Sequence, residues 1–450
     1  MISIRSPGRE GEHSNVKIKA LAFVLTAVLL LCGCGQKSET AAATPAQAVT
    51  ASAAQSSTVR PVRTGVTPEQ FGAKGDGIAD DLRALQAAMQ QASASGRPLE
   101  LTAGAVYRFS SCLGLPSGLT IQGNGAVLLS DIQYPDLRED RVAVELMKDS
   151  DDDRAHDVRL ENVTFRAADS CQANYMLRVM LARNVEFVGC TFDCEPNEWG
   201  RCAADLYGGN ENIRFEGCVF RQMTSGASGG IWVRNWTDRV ESRNIRFQNC
   251  EFYKSGADEL LAVWGWGGAV RDVVLSGCSF YETQTQEGLD ADHRPVWFIT
   301  LGQSGITDVR MEDCTVRAEY CETIFRMVGD KTRAVVDNCD ITMRQPDSMA
   351  KHDMKKGANP MLARGNDRAD GSTVIQNSRI TLSGDNGRRI CYQLSALKGN
   401  TLDVSLGYGI TSTKEVSGNT IRGRIRHKVF QDCSGVENNN VEVRRFSILG

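Results

Sequence analysis

Apolar and polar positions alternate in short paired bursts along this chain. In Asn244-Ile-Arg-Phe-Gln-Asn-Cys-Glu-Phe252, Ile245 and Phe247 alternate with polar neighbours, and Cys250 and Phe252 do so again after a two-residue step. Period-two alternation marks a half-buried strand, so the pattern predicts two short strands meeting at a bend with four side chains facing one interior. The unit recurs in Asn184 to Phe192, Asn212 to Phe220 and Asp272 to Phe280. A repeat of this kind specifies the fold before local propensity does. A sharp bend between strands needs a left-handed backbone, which Gly, Asn and Asp enter cheaply. The residue before the Cys column reads Gly123, Asn162, Gly189, Gly217, Asn249, Gly277, Asp313, Asn338, Asn377, Gly399, Gly418 and Asn438, all from that permissive set.

Successive copies lie 19 to 39 residues apart, which fits coils of fixed core and elastic loops. Two strands use about nine residues, and the remainder accommodates a third strand, as in Gly229-Gly-Ile-Trp-Val-Arg-Asn235 or Glu259-Leu-Leu-Ala-Val-Trp-Gly265. Three strands per turn, each about 4.8 Å from its copy in the next turn, make an all-β parallel β-helix of about 11 to 12 coils. A β-propeller blade needs roughly 40 to 50 residues, and most of these coils are too short for one.

Residues 71–81, Phe-Gly-Ala-Lys-Gly-Asp-Gly-Ile-Ala-Asp-Asp, resemble the opening motif of the pectate lyase superfamily. Those proteins are right-handed, single-stranded parallel β-helices that include polygalacturonases, rhamnogalacturonases, lyases, epimerases and phage tailspikes. Asp80 or Asp81 is placed to cap a helix with Leu82, Leu85, Met89 and Ala92 on one face and Gly96 at its end. The resemblance implies that this helix plugs the first open coil. Ala103 to Phe109 and Leu115 to Gly125 resemble the family's first strands. The polygalacturonase catalytic set does not carry over. Asp258-Glu259 stands where that family has an Asp-Asp pair, but its Asn-Thr-Asp and Gly-His-Gly signatures are absent, and Arg424-Ile-Arg426 lies far outside the spacing of its Arg-Ile-Lys.

Ahead of the folded region, Lys17 and Lys19 precede an apolar run from Ala20 to Leu31 that ends in Leu31-Cys-Gly-Cys34. The run is too short for a comfortable membrane span. It resembles a bacterial lipoprotein signal covering residues 1–34, which implies lipidation of Cys34 and an envelope location at the outer membrane or facing the periplasm. Initiation at Val16 would give such a signal a compact Lys-Ile-Lys start. Residues 35–60 have the Ala, Ser and Thr-rich composition of a flexible tether, and residues 61–450 form the expected β-helix domain. A net charge of −4 with dispersed basic residues gives no basis for nucleic-acid binding.

Fifteen Cys in an exported chain invite disulfides. The ladder Cys190, Cys218, Cys250, Cys278, Cys314 and Cys339, however, sits where Val163 and Ser378 sit in other coils, so these read as small core residues. Cys194 and Cys202, flanking a polar loop, are the expected bridge. No spacing suits zinc.

All six tryptophans (Trp199, Trp232, Trp236, Trp264, Trp266 and Trp297) fall in one 99-residue window. Indole faces suit sugar rings, so this window is where a polysaccharide is expected to bind, with Trp232, Trp264, Trp266, Trp297 and Arg326 as contacts. The same window carries the candidate catalytic residues Asp205, Arg234, Asp258, Glu259 and His293. Hydrolysis needs two carboxylates roughly 5 to 5.5 Å apart for retention or 6.5 to 9.5 Å for inversion. Stacking supplies separations of about 4.8 and about 9.6 Å, so Asp205 and Asp258 could form an inverting pair. A lyase instead needs a base and a cation for the uronate carboxylate, a role open to Arg178, Arg234, His293, Arg326 or a calcium held by Asp290 and Asp292. Epimerase chemistry and glycan binding without catalysis stay open on the same scaffold. The insert Gln345 to Asn359, with Lys351, His352, Asp353, Lys355 and Lys356, is expected to form a loop walling the groove.

Overall fold

The computed structural model describes residues 65–133, 141–147, 154–194, 202–223, 230–235, 240–254, 259–282, 297–319, 321–345, 360–366, 371–384 and 388–445. Cys34, the tether, Trp199, Trp236, Asp258, Asp290, Asp292, His293 and the loop after Gln345 lie outside these residues.

The described chain winds as a right-handed parallel β-helix. One 14-stranded sheet forms one face, and a 24-stranded sheet folds into the other two. Every strand pairs in parallel with its counterpart one coil away, as Asn212-containing Glu211–Glu216 does with Ala182–Val188 on one side and Ser242–Gln248 on the other. The face carrying Ile245 and Phe247 is the first, that carrying Phe252 the second, and that of the irregular strands the third.

Eleven of the twelve bend residues have left-handed φ, from 51° at Asn338 to 66° at Gly399. Gly189 shows why the position is restricted, because a Cβ there would also come within 2.5 Å of Asn162 Oδ1. The exception is Gly123. The first coil is longer at this corner, so Gly125 (φ 76°) makes the bend and buried Ala126 fills the core position. The nine-residue unit also opens on a left-handed residue: Asn184, Asn212, Asn244 and Asp272 have φ of 51° to 58°. On the surface their amides form a ladder, in which Asn184, Asn212 and Asn244 each donate Nδ2 to Oδ1 of the coil before, at 2.8, 2.9 and 2.6 Å.

In-register stacking turns the interior into columns. Phe165, Phe192, Phe220, Phe252 and Phe280 stack with centroids 4.6 to 5.0 Å apart and planes within 9°. A second stack, Phe187, Phe215 and Phe247, meets it edge-on. The ladder cysteines are buried free thiols. Each donates to a carbonyl of the preceding coil, as Cys218 does to Phe187 O at 3.3 Å and Cys278 to Phe247 O at 3.4 Å. Towards the C-terminal end the same column becomes Ser378, Asn400, Asn419 and Asn439, and the asparagines bond to one another.

The expected Cys194–Cys202 bridge does not form, since neither residue is in a disulfide. Cys194 belongs to the interior core, whereas Cys202 packs on the outside of the third face against Trp232 and Ala262. The two sulfurs therefore face opposite sides of the wall.

Helix α1 (Leu82–Ser95) buries Ala84, Leu85, Ala88, Met89 and Ala92 against the first strands. Asp81 is its N-cap residue and accepts hydrogen bonds from the Lys74 and Gly75 backbone N–H groups at 2.7 and 3.0 Å, tying the Gly-Asp-Gly loop to the helix start. Gly96 ends the helix with φ of 63°. The plug expected from the opening motif is present, and without it the apolar end of the core would meet water.

Phe220 touches Phe192, Phe215, Phe247 and Phe252. Phe220→Ala is expected to cost about 3 to 5 kcal/mol in a denaturant titration, whereas Cys250→Ala, which leaves a far smaller void, should cost well under half of that.

Candidate functional site

The third face is built from strands Tyr175–Met180, Cys202–Tyr207, Ile231–Arg234, Leu261–Ser276, Trp297–Thr300 and Thr323–Arg326. Alternation sends Leu177, Val179, Ala204, Leu206, Ile231, Val233, Leu261 and Val263 into the core. The intervening residues point outward, and the register aligns Arg178 with Asp205, Asp205 with Trp232, Trp232 with Ala262, Ala262 with Thr300 and Thr300 with Arg326. The neighbouring outward row aligns Tyr207, Arg234 and Trp264.

Asp205 is fully buried between two guanidiniums. Arg234 donates Nε to its Oδ1 and Nη2 to its Oδ2, both at 2.7 Å, in a bidentate fork. Arg178 donates Nε to Oδ2 at 3.2 Å. Aromatic rings enclose this triad. The Arg178 guanidinium lies 4.5 Å from the Tyr175 centroid, and that of Arg234 lies 4.2 Å from Trp232 and 4.9 Å from Tyr207. Trp232 stacks on Trp264 at 5.4 Å. Burial opposes the Arg234 charge, yet the hydrogen bond and charge of Asp205 outweigh it and hold the guanidinium above its usual pKa. Burial pushes the Tyr175 phenol up, opposed by the Arg234 charge and reinforced by that of Asp205. Burial also holds the Cys202 thiol well above its usual range, with the Asp205 charge adding to the effect.

A second group adjoins the first. Glu259 Oε1 accepts from Thr300 Oγ1 at 2.6 Å and from Arg326 Nη1 at 3.4 Å. Arg326 also donates Nη1 to Gln303 Oε1 at 3.0 Å, and its guanidinium sits 5.0 Å from the Trp297 ring centroid.

Three buried N–H donors here have no acceptor among the described residues: Nε1 of Trp232, Nε1 of Trp264 and Nε of Arg326. Buried donors of this kind are uncommon and call for a ligand or an ordered water.

Of the ten residues singled out from sequence, Asp205, Arg234, Trp232 and Trp264 come together in the first group, and Glu259, Arg326 and Trp297 in the second. Trp266 stands apart. It is 61% exposed at the corner where the Leu261–Ser276 strand turns from third to first face, lining an open groove with Glu241, Arg271, Asp330 and Lys331. Asp258 and His293 lie outside the described residues. Tyr175, Tyr207, Thr300 and Gln303 were not singled out; the first three carry a period-two signal, each lying beside an inward strand residue, whereas Gln303 lies in a bend beyond the Trp297–Thr300 strand and carries none. No group of three metal-ligating side chains occurs among the described residues.

The right-handed parallel β-helix is that of the pectate lyase-like class, a fold that fits polysaccharide-active or glycan-binding roles. Within it the chain belongs to the family described as rhamnogalacturonase A/epimerase, pectate lyase-like, matched over residues 66–344. No curated protein sequence matches the chain. Among solved structures it is similar to ORF18 of Geobacillus virus E2, with 14% identity, a TM-score of 0.45 and coverage of 85% of this chain and 62% of that one, so it spans under two thirds of the viral protein. It is also similar to the surface adhesin PfbA of Streptococcus pneumoniae, with 14% identity, a TM-score of 0.44 and coverage of 82% and 91%. A third similarity is to the family 28 exopolygalacturonase of Yersinia enterocolitica, with 12% identity, a TM-score of 0.45 and coverage of 85% and 79%.

Removing Asp205 would leave two guanidiniums at close quarters in a buried site. Asp205→Asn is expected to destabilise the protein by about 3 to 5 kcal/mol, read as a lowered denaturation midpoint, because breaking a buried pair exposes the uncompensated charge.

Proposed function

We propose that this is an extracytoplasmic polysaccharide-active β-helix, anchored by a lipid on Cys34, that engages an acidic glycan on the outer side of its third face. The observation that carries the reading is the stacked Trp232–Trp264 pair, with both indole N–H groups buried and lacking acceptors among the described residues, beside the Arg178–Asp205–Arg234 triad. Indole faces take the C–H side of a sugar ring, the N–H groups take its oxygens, and the guanidiniums suit a uronate carboxylate.

For the chemistry, β-elimination asks less of these residues than hydrolysis. A hydrolase needs one carboxyl to give a proton and another to attack or activate water. Asp205 has both oxygens engaged by arginines, and Glu259 is engaged by Thr300 and Arg326. Elimination needs a cation to stabilise charge on the uronate carboxylate while a base removes the neighbouring proton. Arg234 and Arg178 fit the cation's role, and Asp258 or His293 is our candidate for the base. The engagement of Asp205 by both arginines favours a second reading, in which the same face binds glycan without cutting it.

Incubating the full-length protein with a panel of acidic polysaccharides separates these readings. Ultraviolet-absorbing unsaturated ends, the expected product, mark elimination, and new reducing ends alone mark hydrolysis. Retention without either product marks the binding reading, and Trp232→Ala should weaken that retention about tenfold, or about 1.4 kcal/mol. A protein that neither retains nor cuts any acidic glycan would sink the proposal.

A further inference from the structure

The outward row of the third face does not stop at Arg326. It continues in register through Arg364 and Tyr392 to Thr411. Beside it, at the start of the Arg389–Tyr392 strand, the Arg389 guanidinium lies 5.5 Å from the Tyr392 ring centroid and 5.9 Å from that of Tyr408, its register partner one coil on. Tyr408 stacks on His427 of the following coil at 4.3 Å with planes 20° apart.

This cation differs from Arg178, Arg234 and Arg326. Arg178 and Arg234 share Asp205, and Arg326 meets Glu259. Among the described residues Arg389 has no carboxylate partner and its buried Nε has no acceptor. A guanidinium held over aromatic rings keeps its charge and its planar fork of donors. A buried Nε–H with nothing to accept its proton is costly unless something arrives to take it. The flanking segment Arg426-His-Lys428 adds basic character and no acid.

We propose that Arg389, walled by Tyr392 and Tyr408 with His427 stacked behind Tyr408, is an anion-binding site, distinct from the tryptophan site, that takes the carboxylate of an acidic glycan chain lying along the third face. The assignment of the anion to a uronate rests on the polysaccharide reading above, while the anion site itself does not. From the Trp232 row to the Tyr392 row is five coil steps, about 24 Å at about 4.8 Å per coil. Arg326, whose own buried Nε lacks an acceptor among the described residues, stands between them. A glycan long enough to reach both ends gains from the second contact as a linked ligand does, and a short one does not.

Calorimetric titration of the full-length protein with uronate oligosaccharides of increasing length, and with the same oligosaccharides methyl-esterified, tests this in wild type, Arg389→Gln, Arg389→Lys and Trp232→Ala. Arg389→Gln should weaken binding of long uronate chains about tenfold, and leave short and esterified chains unchanged. Arg389→Lys, which keeps the charge and much of the stem, should recover part of the loss and guards against a folding defect. Equal affinity of wild type and Arg389→Gln for long uronates would overturn the site, as would an equal loss for charged and esterified chains. Loss confined to Trp232→Ala would sink the Arg389 site and leave the polysaccharide reading standing. Weaker binding of a uronate monosaccharide by Arg389→Gln, with Trp232→Ala neutral, would keep the anion site and sink the polysaccharide reading.

Discussion

Parallel in-register pairing places each residue beside the same position one coil away, and the rest of this structure follows from that constraint. A side chain's neighbours are set by register, so chemistry accumulates in columns: phenyl on phenyl, thiol after thiol, amide on amide. On the outer wall the same rule sets Arg178, Asp205 and Trp232 side by side although 27 residues separate each from the next. Few folds bring residues so distant in sequence into one row with so little need for shaped loops.

The constraint explains what the sequence made legible. The bend column and the apolar alternation repeat from coil to coil, so the nine-residue unit reveals the two regular faces and the burial of the cysteine ladder, while the opening motif and the apolar face of Leu82 to Ala92 reveal the plug helix. Gly123 misled because the first coil is longer at its corner, where the Asn124-Gly125 pair moves the bend. Cys194 and Cys202 looked paired because they flank one loop, yet the wall of the helix passes between them. The site was half legible. The tryptophan window led to Trp232, Trp264 and Trp297, but Trp266 turns away because its strand rounds a corner through Gly265. Tyr175 and Tyr207 escaped notice because the third-face strands lack a repeat that fixes their phase.

The triad around Asp205 shows how such a wall carries charge. Two arginines on strands either side of one aspartate cannot separate without leaving a buried ion unmatched, so the three strands are clamped from outside as the phenylalanines clamp them from within. The tyrosine and tryptophan rings keep water from the pair, which strengthens it. A rigid, partly dehydrated platform is the kind of surface on which a sugar loses little by binding, because the protein groups are already ordered.

The change of the cysteine column into asparagines has a consequence for the solenoid's two ends. At the helix-capped end the interior is oily and closed. At the other, Val436 and Val441 are exposed, and the interior column is a chain of amides already satisfied by one another. Water reaching that column therefore meets amides it can hydrate, while Leu402, Val416, Ile421 and Ile425 keep the rest of the interior apolar. The molecule behaves like a zipper whose final teeth tolerate wetting, with its Arg178–Asp205–Arg234 triad kept in the dry middle.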